Sequence, residues 1–338
     1  MAPVRTSLVL LGLIAASFAF GEGEQRFAEI GNLRLQSGAI LKDCRVGYRT
    51  FGKLDAERDN AVLVPTWYLG TTNDLKGSFG ADGLADSSKY YVIAVDALTN
   101  GVSTSPSNSK SQHDAVFPEV TIRDMVESQH RMLLGLGIRH LRAVMGISMG
   151  GIQTFQWITA YPDFMDKAVP IVGSPRPTSY DLMFYSGGLN AFKQAIAHKD
   201  AREALIKTYA DFFWLNLNTP AYYVRHTKRE EAIASLAGFE KALLAWDPYD
   251  AAAGLSALMT QDIFKGFDEN EEKTAAAVHA KVLVIVASQD HCVNPAPALS
   301  FAKLLGAETI VLNDDAGHSS PGAEMGKVSP AIDRFLAP

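Results

Sequence analysis

Apolar residues fall into short continuous runs that alternate with stretches of helical spacing. Two runs, 61–67 and 90–97, are nearly all apolar, which is typical of parallel strands buried on both faces. A third run, 141–145, precedes a helical pattern over 152–160, and a fourth strand is predicted at 167–173. Strands that alternate with helices in this way predict an α/β fold with a doubly wound, mostly parallel sheet and right-handed crossovers.

Two further elements precede the third of these strands. Residues 27–50 alternate apolar and polar side chains and predict an antiparallel hairpin, with turn signals at 31–32 and 37–38. Apolar residues then recur at helical spacing from Thr121, a potential N-cap, to Leu136.

The alternation of strands and helices stops at residue 174 and returns with a strand at 282–287. The residues between are helical in pattern and rich in aromatic side chains. We therefore predict a helical cap, 174–279, inserted over the sheet edge where ligands of open α/β sheets bind. The core of the fold would then consist of 22–173 and 280–338.

The N-terminus has a different composition from the rest of the chain. Arg5 precedes the apolar run 8–20, and small residues follow, as in a secretory signal peptide, which we assign to residues 1–21. The run is shorter than the roughly 20 residues that a membrane-spanning helix needs, so no membrane anchor is expected after processing. The expected location is secreted or periplasmic.

Composition narrows the range of partners. A formal net charge of -6 with no clustering of basic residues argues against a nucleic-acid partner. No spacing of metal-ligating residues stands out, so neither a metal nor another cofactor is predicted. The two cysteines, Cys44 and Cys292, either pair in an oxidising compartment or stay as buried free thiols.

The motif with the clearest chemistry is a serine between glycines, Gly146-Ile-Ser148-Met-Gly150. The pattern Gly-x-Ser-x-Gly between a strand and a helix is typical of a sharp turn that exposes a nucleophilic serine hydroxyl. Here an apolar strand pattern precedes the motif and a helical pattern follows it. Ser148 is therefore the candidate nucleophile, the alternative being an ordinary helix N-cap.

A serine nucleophile needs an imidazole base and an acid that orients it. When the order is serine, acid, histidine, each partner follows a late strand of the sheet. Asp290 follows the strand at 282–287, and His318 follows a predicted strand at 309–312. Five other residues are alternatives for these roles. His291 adjoins Asp290, but directly after the strand its side chain would point away from that of its neighbour. The others are Asp314 and Asp315 as the acid, which more simply form a turn, and His113 and His130, which precede the serine.

Two backbone groups are candidates for binding the oxyanion of a tetrahedral intermediate. The N–H of Met149 begins the helix after the serine, where the helix dipole also favours negative charge. The second donor should come from the loop after the strand 61–67, and we assign it to the N–H of Tyr68.

With these residues in place, the chain resembles the homoserine O-acetyltransferase branch of the α/β-hydrolase superfamily. The matching segments are Phe117-Pro-Glu-Val-Thr-Ile-Arg-Asp-Met-Val126, Leu136-Gly-Ile138 and Ser148-Met-Gly-Gly151. The resemblance is strongest over 96–173 and weakest in the cap. It implies an α/β-hydrolase fold and an acyl-enzyme on Ser148, with Asp290 and His318 as its partners.

Two departures from the family pattern bear on the substrate. Ile147 stands where a glycine usually precedes the serine, and Ser319 stands where an acidic residue usually holds the amino group of homoserine. We therefore expect an exported serine hydrolase that cleaves an ester or similar acyl substrate. The alternatives are a homoserine O-acetyltransferase-like acyltransferase to a small alcohol and a catalytically silent binding protein. A homodimer would form through the cap.

Overall fold

The computed structural model describes residues 23–337, so the predicted signal peptide lies outside the described residues. Within them, one sheet has the strand order β1-β2-β4-β3-β5-β6-β7-β8. Only the β1–β2 and β2–β4 pairs are antiparallel. The strands are β1 (Arg26–Arg34), β2 (Ile40–Phe51), β3 (Ala61–Pro65), β4 (Tyr91–Val95), β5 (Leu141–Ile147), β6 (Met165–Ile171), β7 (Lys281–Ala287) and β8 (Glu308–Leu312). The mostly parallel α/β-hydrolase sheet is thus confirmed.

Helices flank the sheet and fill the long interval between β6 and β7. They are α1 (Ile122–Gly135), α2 (Met149–Ala160), α3 (Ser179–Ala197), α4 (Arg202–Leu217), α5 (Pro220–His226), α6 (Ala232–Leu243), α7 (Pro248–Thr260), α8 (Glu271–Ala276), α9 (Ala296–Leu305), α10 (Ser320–Ala323) and α11 (Met325–Leu336). None of the helices between residues 23 and 337 is both long and apolar enough to cross a membrane.

Each face of the sheet carries its own apolar core. On one face the strands pack against α1, α2 and α9, with Phe155, Trp157 and Phe301 fully buried. On the other face they pack against residues 75–85 and α11. Helix α11 was not predicted, although its apolar side chains recur at the spacing of one helix face.

The hairpin β1–β2 differs from its prediction at one point. Residues 37–38 form the expected turn, but Gly31 lies inside β1, where the pairing register shifts on either side of it. Its φ of +68° explains the error, because a bulge and a turn both favour a glycine in this conformation.

The start of α1 agrees with its prediction. The hydroxyl of Thr121 accepts a hydrogen bond from the Asp124 N–H, and the Asp124 carboxylate in turn accepts one from the Thr121 N–H. This reciprocal capping box satisfies N–H groups that the first helical turn leaves without partners.

Helices α3 to α8 occupy the interval for which a cap was predicted, 174–279. Aromatic side chains join the first two of them: Phe192 and Tyr209 meet edge to face, and Phe184 contacts Phe213. Helix α7 packs along α3, and its Asp250 accepts hydrogen bonds from the N–H and hydroxyl of Ser107. The interval is therefore tied to the core through the loop that follows β4.

Candidate active site

Ser148 lies at the junction between the central strand β5 and helix α2. Its backbone has φ 58° and ψ -122°, a conformation that non-glycine residues rarely adopt. Hydrogen bonds on both sides hold it: the Ser148 N–H donates to the Ile171 carbonyl, and the Ile152 N–H donates to the Ser148 carbonyl. The strained turn predicted from the glycine pattern is therefore present, with the hydroxyl at the C-terminal edge of the sheet.

The flanking glycines are required by close approach between backbones. A Cβ on Gly146 would lie 2.5 Å from the carbonyl carbon of Gly150, and one on Gly150 would lie 2.4 Å from the Pro65 carbonyl oxygen. Both distances are shorter than any carbon can tolerate against a backbone atom. The glycines allow α2 to start directly above the ends of β3 and β5.

The three residues predicted to act together are joined by hydrogen bonds. The His318 Nε2 lies 2.9 Å from the Ser148 Oγ, and the His318 Nδ1 lies 2.7 Å from the Asp290 Oδ2. The carboxylate accepts a hydrogen bond from a proton on Nδ1, which leaves Nε2 free to accept a hydrogen bond from the serine hydroxyl. The arrangement is that of a nucleophile, its base and the group that orients the base.

Asp290 is fixed by more than its histidine partner. Its Oδ1 accepts hydrogen bonds from the N–H groups of Cys292 (2.8 Å) and Val293 (2.9 Å). Its side chain is only 1% exposed, and that of His318 is 11% exposed. Both carboxylate oxygens are therefore committed, and the charge is shielded from bulk water.

The structure places the other acid candidates elsewhere. The Asp314 Oδ1 accepts hydrogen bonds from the Ala316 N–H and the Ser320 hydroxyl, so this residue forms the turn before His318. Asp315 pairs with Arg225. Neither carboxylate contacts the imidazole of His318.

His113 and His130 also lie apart from the serine. His113 is an exposed residue whose nearest charged partner is Asp114. His130 stacks on the Tyr161 ring within the α1–α2 interface, where burial lowers its pKa. Their surroundings give them no part in the Ser148 site.

The two residues proposed to supply the oxyanion donors are neighbours of Ser148 in the chain or in the cavity. Met149 is the first residue of α2, where N–H groups have no partner within the helix. Tyr68 lies in the loop after β3 and lines the same cavity as Ser148, and its hydroxyl donates to the Ala251 carbonyl of α7. Gln153, which was not predicted from the sequence, joins the loop of Tyr68 to α2. The Gln153 amide donates to the carbonyls of Thr66 and Met149, which holds the loop against α2.

A small cavity opens between Ser148 and helices α3, α4 and α7. Its volume is about 30 Å³, room for roughly two water molecules. Most of its wall is apolar or aromatic, including Tyr68, Phe184, Tyr185, Tyr209, Phe213 and Leu258. The hydroxyls of Tyr68 and Tyr185 donate to backbone carbonyls. The site can therefore shield a short apolar group next to Ser148.

Both cysteines are free and buried, so the structure has them as thiols rather than as a disulfide. Burial raises the pKa of Cys44 to about 12 and that of Cys292 well above its usual range. Within residues 23–337 the ligand atoms of Asp290, Cys292 and His318 lie within 4.8 Å of one another. The Cys292 thiol keeps its proton and donates to the Asn216 carbonyl, which makes it a poor metal ligand.

Comparisons with known proteins agree with this geometry. The sequence pattern of the family described as "alpha/beta hydrolase fold" matches residues 63–321, a range that includes all three hydrogen-bonded residues. An ethyl acetate hydrolase from Pseudomonas veronii is 39% identical over 165 residues, 48% of this chain and 47% of that protein. A homoserine O-acetyltransferase from Pelobacter propionicus is 37% identical over 174 residues, 46% of this chain and 47% of that protein.

Similarity to solved structures extends along nearly the whole chain. An acetylester hydrolase from Corynebacterium glutamicum superposes with a TM-score of 0.85 and 27% sequence identity, covering 93% of this chain and 95% of that one. The resemblance to the homoserine O-acetyltransferase branch is confirmed, and the branch as represented here includes esterases.

Proposed function

Because the chain belongs to the alpha/beta hydrolase fold family, we propose that it is a serine esterase that cleaves small acyl esters through an acyl-enzyme on Ser148. The observation that carries the proposal is the continuous set of hydrogen bonds from Ser148 through His318 to Asp290 beside a small, mostly apolar cavity. Similarity to an ethyl acetate hydrolase and an acetylester hydrolase supports ester cleavage.

Acylation begins with proton transfer from the Ser148 hydroxyl to His318 Nε2. The serine oxygen forms a bond to the ester carbonyl carbon, and the carbonyl oxygen becomes an oxyanion that the N–H groups of Met149 and Tyr68 stabilise. The intermediate then breaks its bond to the alcohol oxygen, which takes the proton from His318. The products of this half-reaction are the free alcohol and an ester of the acyl group with Ser148.

Deacylation repeats these steps with water as the nucleophile. His318 takes a proton from water, the resulting hydroxide adds to the acyl carbon, and the bond to the Ser148 oxygen breaks as that oxygen regains the proton. Asp290 stays ionised throughout and stabilises the imidazolium formed in each half-reaction. The free acid is released and the resting enzyme is restored.

The size of the cavity supports a short acyl group. About 30 Å³ suits the methyl group of an acetyl ester, and a longer chain would have to displace aromatic side chains or extend through the opening. Apart from His318, the proposed base, no lining residue carries a side chain that would pair with a charged acyl group. We therefore propose acetyl esters, or esters of similar size, as the substrate class.

The second candidate is acyl transfer to homoserine, favoured by the similarity to homoserine O-acetyltransferases. The acceptor carries an ammonium group, which is costly to remove from water unless a carboxylate meets it. Ser319 brings no charge, and the Glu324 carboxylate is already paired with Lys327. Water is therefore the acceptor that we propose.

We also propose that the protein is exported and forms a homodimer through the cap. The N-terminal pattern supports export, and the first residue of the mature protein, expected near residue 20 or 22, can be identified by N-terminal sequencing after expression in a secreting host.

Three exposed apolar side chains of α3 and α4, Met183, Phe212 and Leu215, support an association surface. Sedimentation analysis of the parent and of Leu215→Lys tests the dimer.

The decisive experiment uses p-nitrophenyl acetate, a fluorophosphonate probe and the Ser148→Ala variant. The parent should release nitrophenol and acetate and become labelled on Ser148, and the variant should do neither. Equal labelling of the two proteins would contradict the role of Ser148. A parent that reacts with neither reagent would favour the silent binding protein. At fixed ester and rising homoserine, dominant formation of acetylhomoserine at low millimolar acceptor would favour the transferase.

A further inference from the structure

The loop that carries His318 is held by the cap as well as by the sheet. The Asn218 side-chain amide donates to the Ala316 carbonyl at 2.7 Å, and the Thr219 hydroxyl donates to the Asp315 carbonyl at 2.7 Å. Asn218 and Thr219 form the junction between α4 and α5, and both are buried. Two consecutive cap residues therefore fix the two peptide groups that lead to Gly317.

Gly317 brings this loop into direct contact with the same junction. Its φ is +61°, and a Cβ there would lie 3.1 Å from the Leu217 carbonyl oxygen and 3.2 Å from the Asn218 Cα. The backbone just before His318 is therefore packed on the backbone of the cap, so a shift of the α4–α5 junction also shifts the imidazole.

The loop that carries Asp290 has matching contacts with the cap. The Asp181 Oδ1 of α3 accepts a hydrogen bond from the Asn294 N–H at 2.9 Å. The Tyr185 hydroxyl of α3 donates to the Cys292 carbonyl at 3.1 Å. The side chains of Asp181 and Tyr185 are buried, so water does not compete for these hydrogen bonds.

From these contacts we infer that the cap positions the catalytic acid and base, and that Asn218 is a positioning residue for His318. The inference rests on the proposed function, since it assigns a role in the same hydrolysis. A cap that only covered the substrate would need no hydrogen bonds to the loops of Asp290 and His318. A displacement of the base by about 1 Å can lower the rate about 100-fold, so these contacts bear directly on turnover.

The Asn218→Asp variant tests this role. It keeps the size of the side chain but replaces the amide donor with an oxygen that repels the Ala316 carbonyl. Asn218 is not among the residues that line the cavity. We expect kcat for p-nitrophenyl acetate to fall about 10- to 100-fold with KM within about 2-fold of the parent, and fluorophosphonate labelling to slow in parallel.

Asn60→Asp is the matched control. The Asn60 amide also donates to loop carbonyls, those of Lys53 and Lys89, but it precedes β3 at the opposite edge of the sheet. The kcat of the Asn60→Asp variant should stay at the parental value. Unchanged kcat in Asn218→Asp, or a raised KM with parental kcat, would overturn the positioning role and leave Asn218 a purely structural or substrate-side residue.

A second pair of variants covers the case in which Asn218→Asp does not fold. Thr219→Val removes the hydroxyl that donates to Asp315, whereas Thr219→Ser keeps it. We expect kcat to fall in the valine variant and to return toward the parental value in the serine variant, with equal KM in both. Equal kcat in the two variants would contradict the inference. Absence of ester turnover in the parent would instead contradict the proposed function.

Discussion

The Asp290 carboxylate lies 2.7 Å from the His318 Nδ1, and its second oxygen receives two backbone N–H groups. The two residues belong to loops that follow β7 and β8, neighbouring parallel strands of the sheet. Because the carboxylate cannot turn without losing three hydrogen bonds, it holds the imidazole in one orientation. This pair is the part of the site on which the proposed base chemistry depends most directly.

Asp290→Asn should lower kcat by about 10⁴-fold, because the amide no longer favours the tautomer that leaves Nε2 as the acceptor. Steady-state kinetics with p-nitrophenyl acetate measures the effect. Asp314→Asn is the control, since Asp314 contacts Ala316 and Ser320 rather than the imidazole. The assignment of the acid would move to Asp314 if this second variant, and not the first, lost its activity.

The acyl-chain preference should follow the size of the cavity. We expect kcat/KM for p-nitrophenyl butyrate to be at least about 10-fold below that for the acetate, since each extra methylene in a tight pocket is worth about 1–3 kcal/mol. Leu258→Ala opens the cavity wall and should bring kcat/KM for the butyrate closer to that for the acetate.

Leu133→Ala is the control for lost stability. Leu133 is equally buried but lies on α1, away from the cavity. Both variants should lose about 2–5 kcal/mol of unfolding free energy. A butyrate-to-acetate ratio that changed equally in both would show that the cavity wall does not set the acyl length.

Gly150 and Gly238 should respond in opposite ways to substitution by alanine. In Gly150→Ala the new Cβ would meet the Pro65 carbonyl oxygen, so we expect a loss of about 3 kcal/mol or more, together with loss of activity. A Cβ on Gly238 meets nothing within 4 Å, and this residue lies within α6, so Gly238→Ala should gain about 0.5–1 kcal/mol. Chemical denaturation of the three proteins measures both effects. A stable, active Gly150→Ala would contradict the close approach of α2 to β3.

The dependence of stability on pH should include a contribution from Asp250. Burial raises the pKa of this carboxyl to about 6, whereas the pKa of an aspartate in the unfolded chain is about 3.9. Between these two pH values the folded protein holds a proton that the unfolded chain has released. The contribution of Asp250 to the unfolding free energy is therefore fully present below about pH 4 and is lost as pH rises through about 6.

Asp250→Asn removes this titration. From pH 5 to pH 7 the parent should lose about 1 kcal/mol of unfolding free energy more than the variant does. Denaturant titrations of both proteins at the two pH values provide the measurement. A parent and variant with parallel pH profiles would show that Asp250 titrates at its ordinary pKa in the folded state.

The amino-acid sequence was sufficient to predict the sheet, the sharp turn at Ser148 and the order of the three hydrogen-bonded residues along the chain. These features are local: buried parallel strands need continuous apolar runs, and the Ser148 turn needs glycines at fixed spacing. The position of Asp290 and His318 after late strands followed from the same logic, since parallel strands end at one edge of a sheet. The resemblance to a known family rested on equally local segments, among them Phe117–Val126 and Ser148-Met-Gly-Gly151.

Tertiary structure alone decided the features that join distant parts of the chain. Gly31 is a bulge rather than a turn because of how β1 pairs with β2. The cavity volume depends on how α3, α4 and α7 pack together, and the hydrogen bond from Asn218 to Ala316 spans 98 positions in the chain. No spacing along the chain encodes such contacts, because they depend on which buried surfaces meet once the helices have packed.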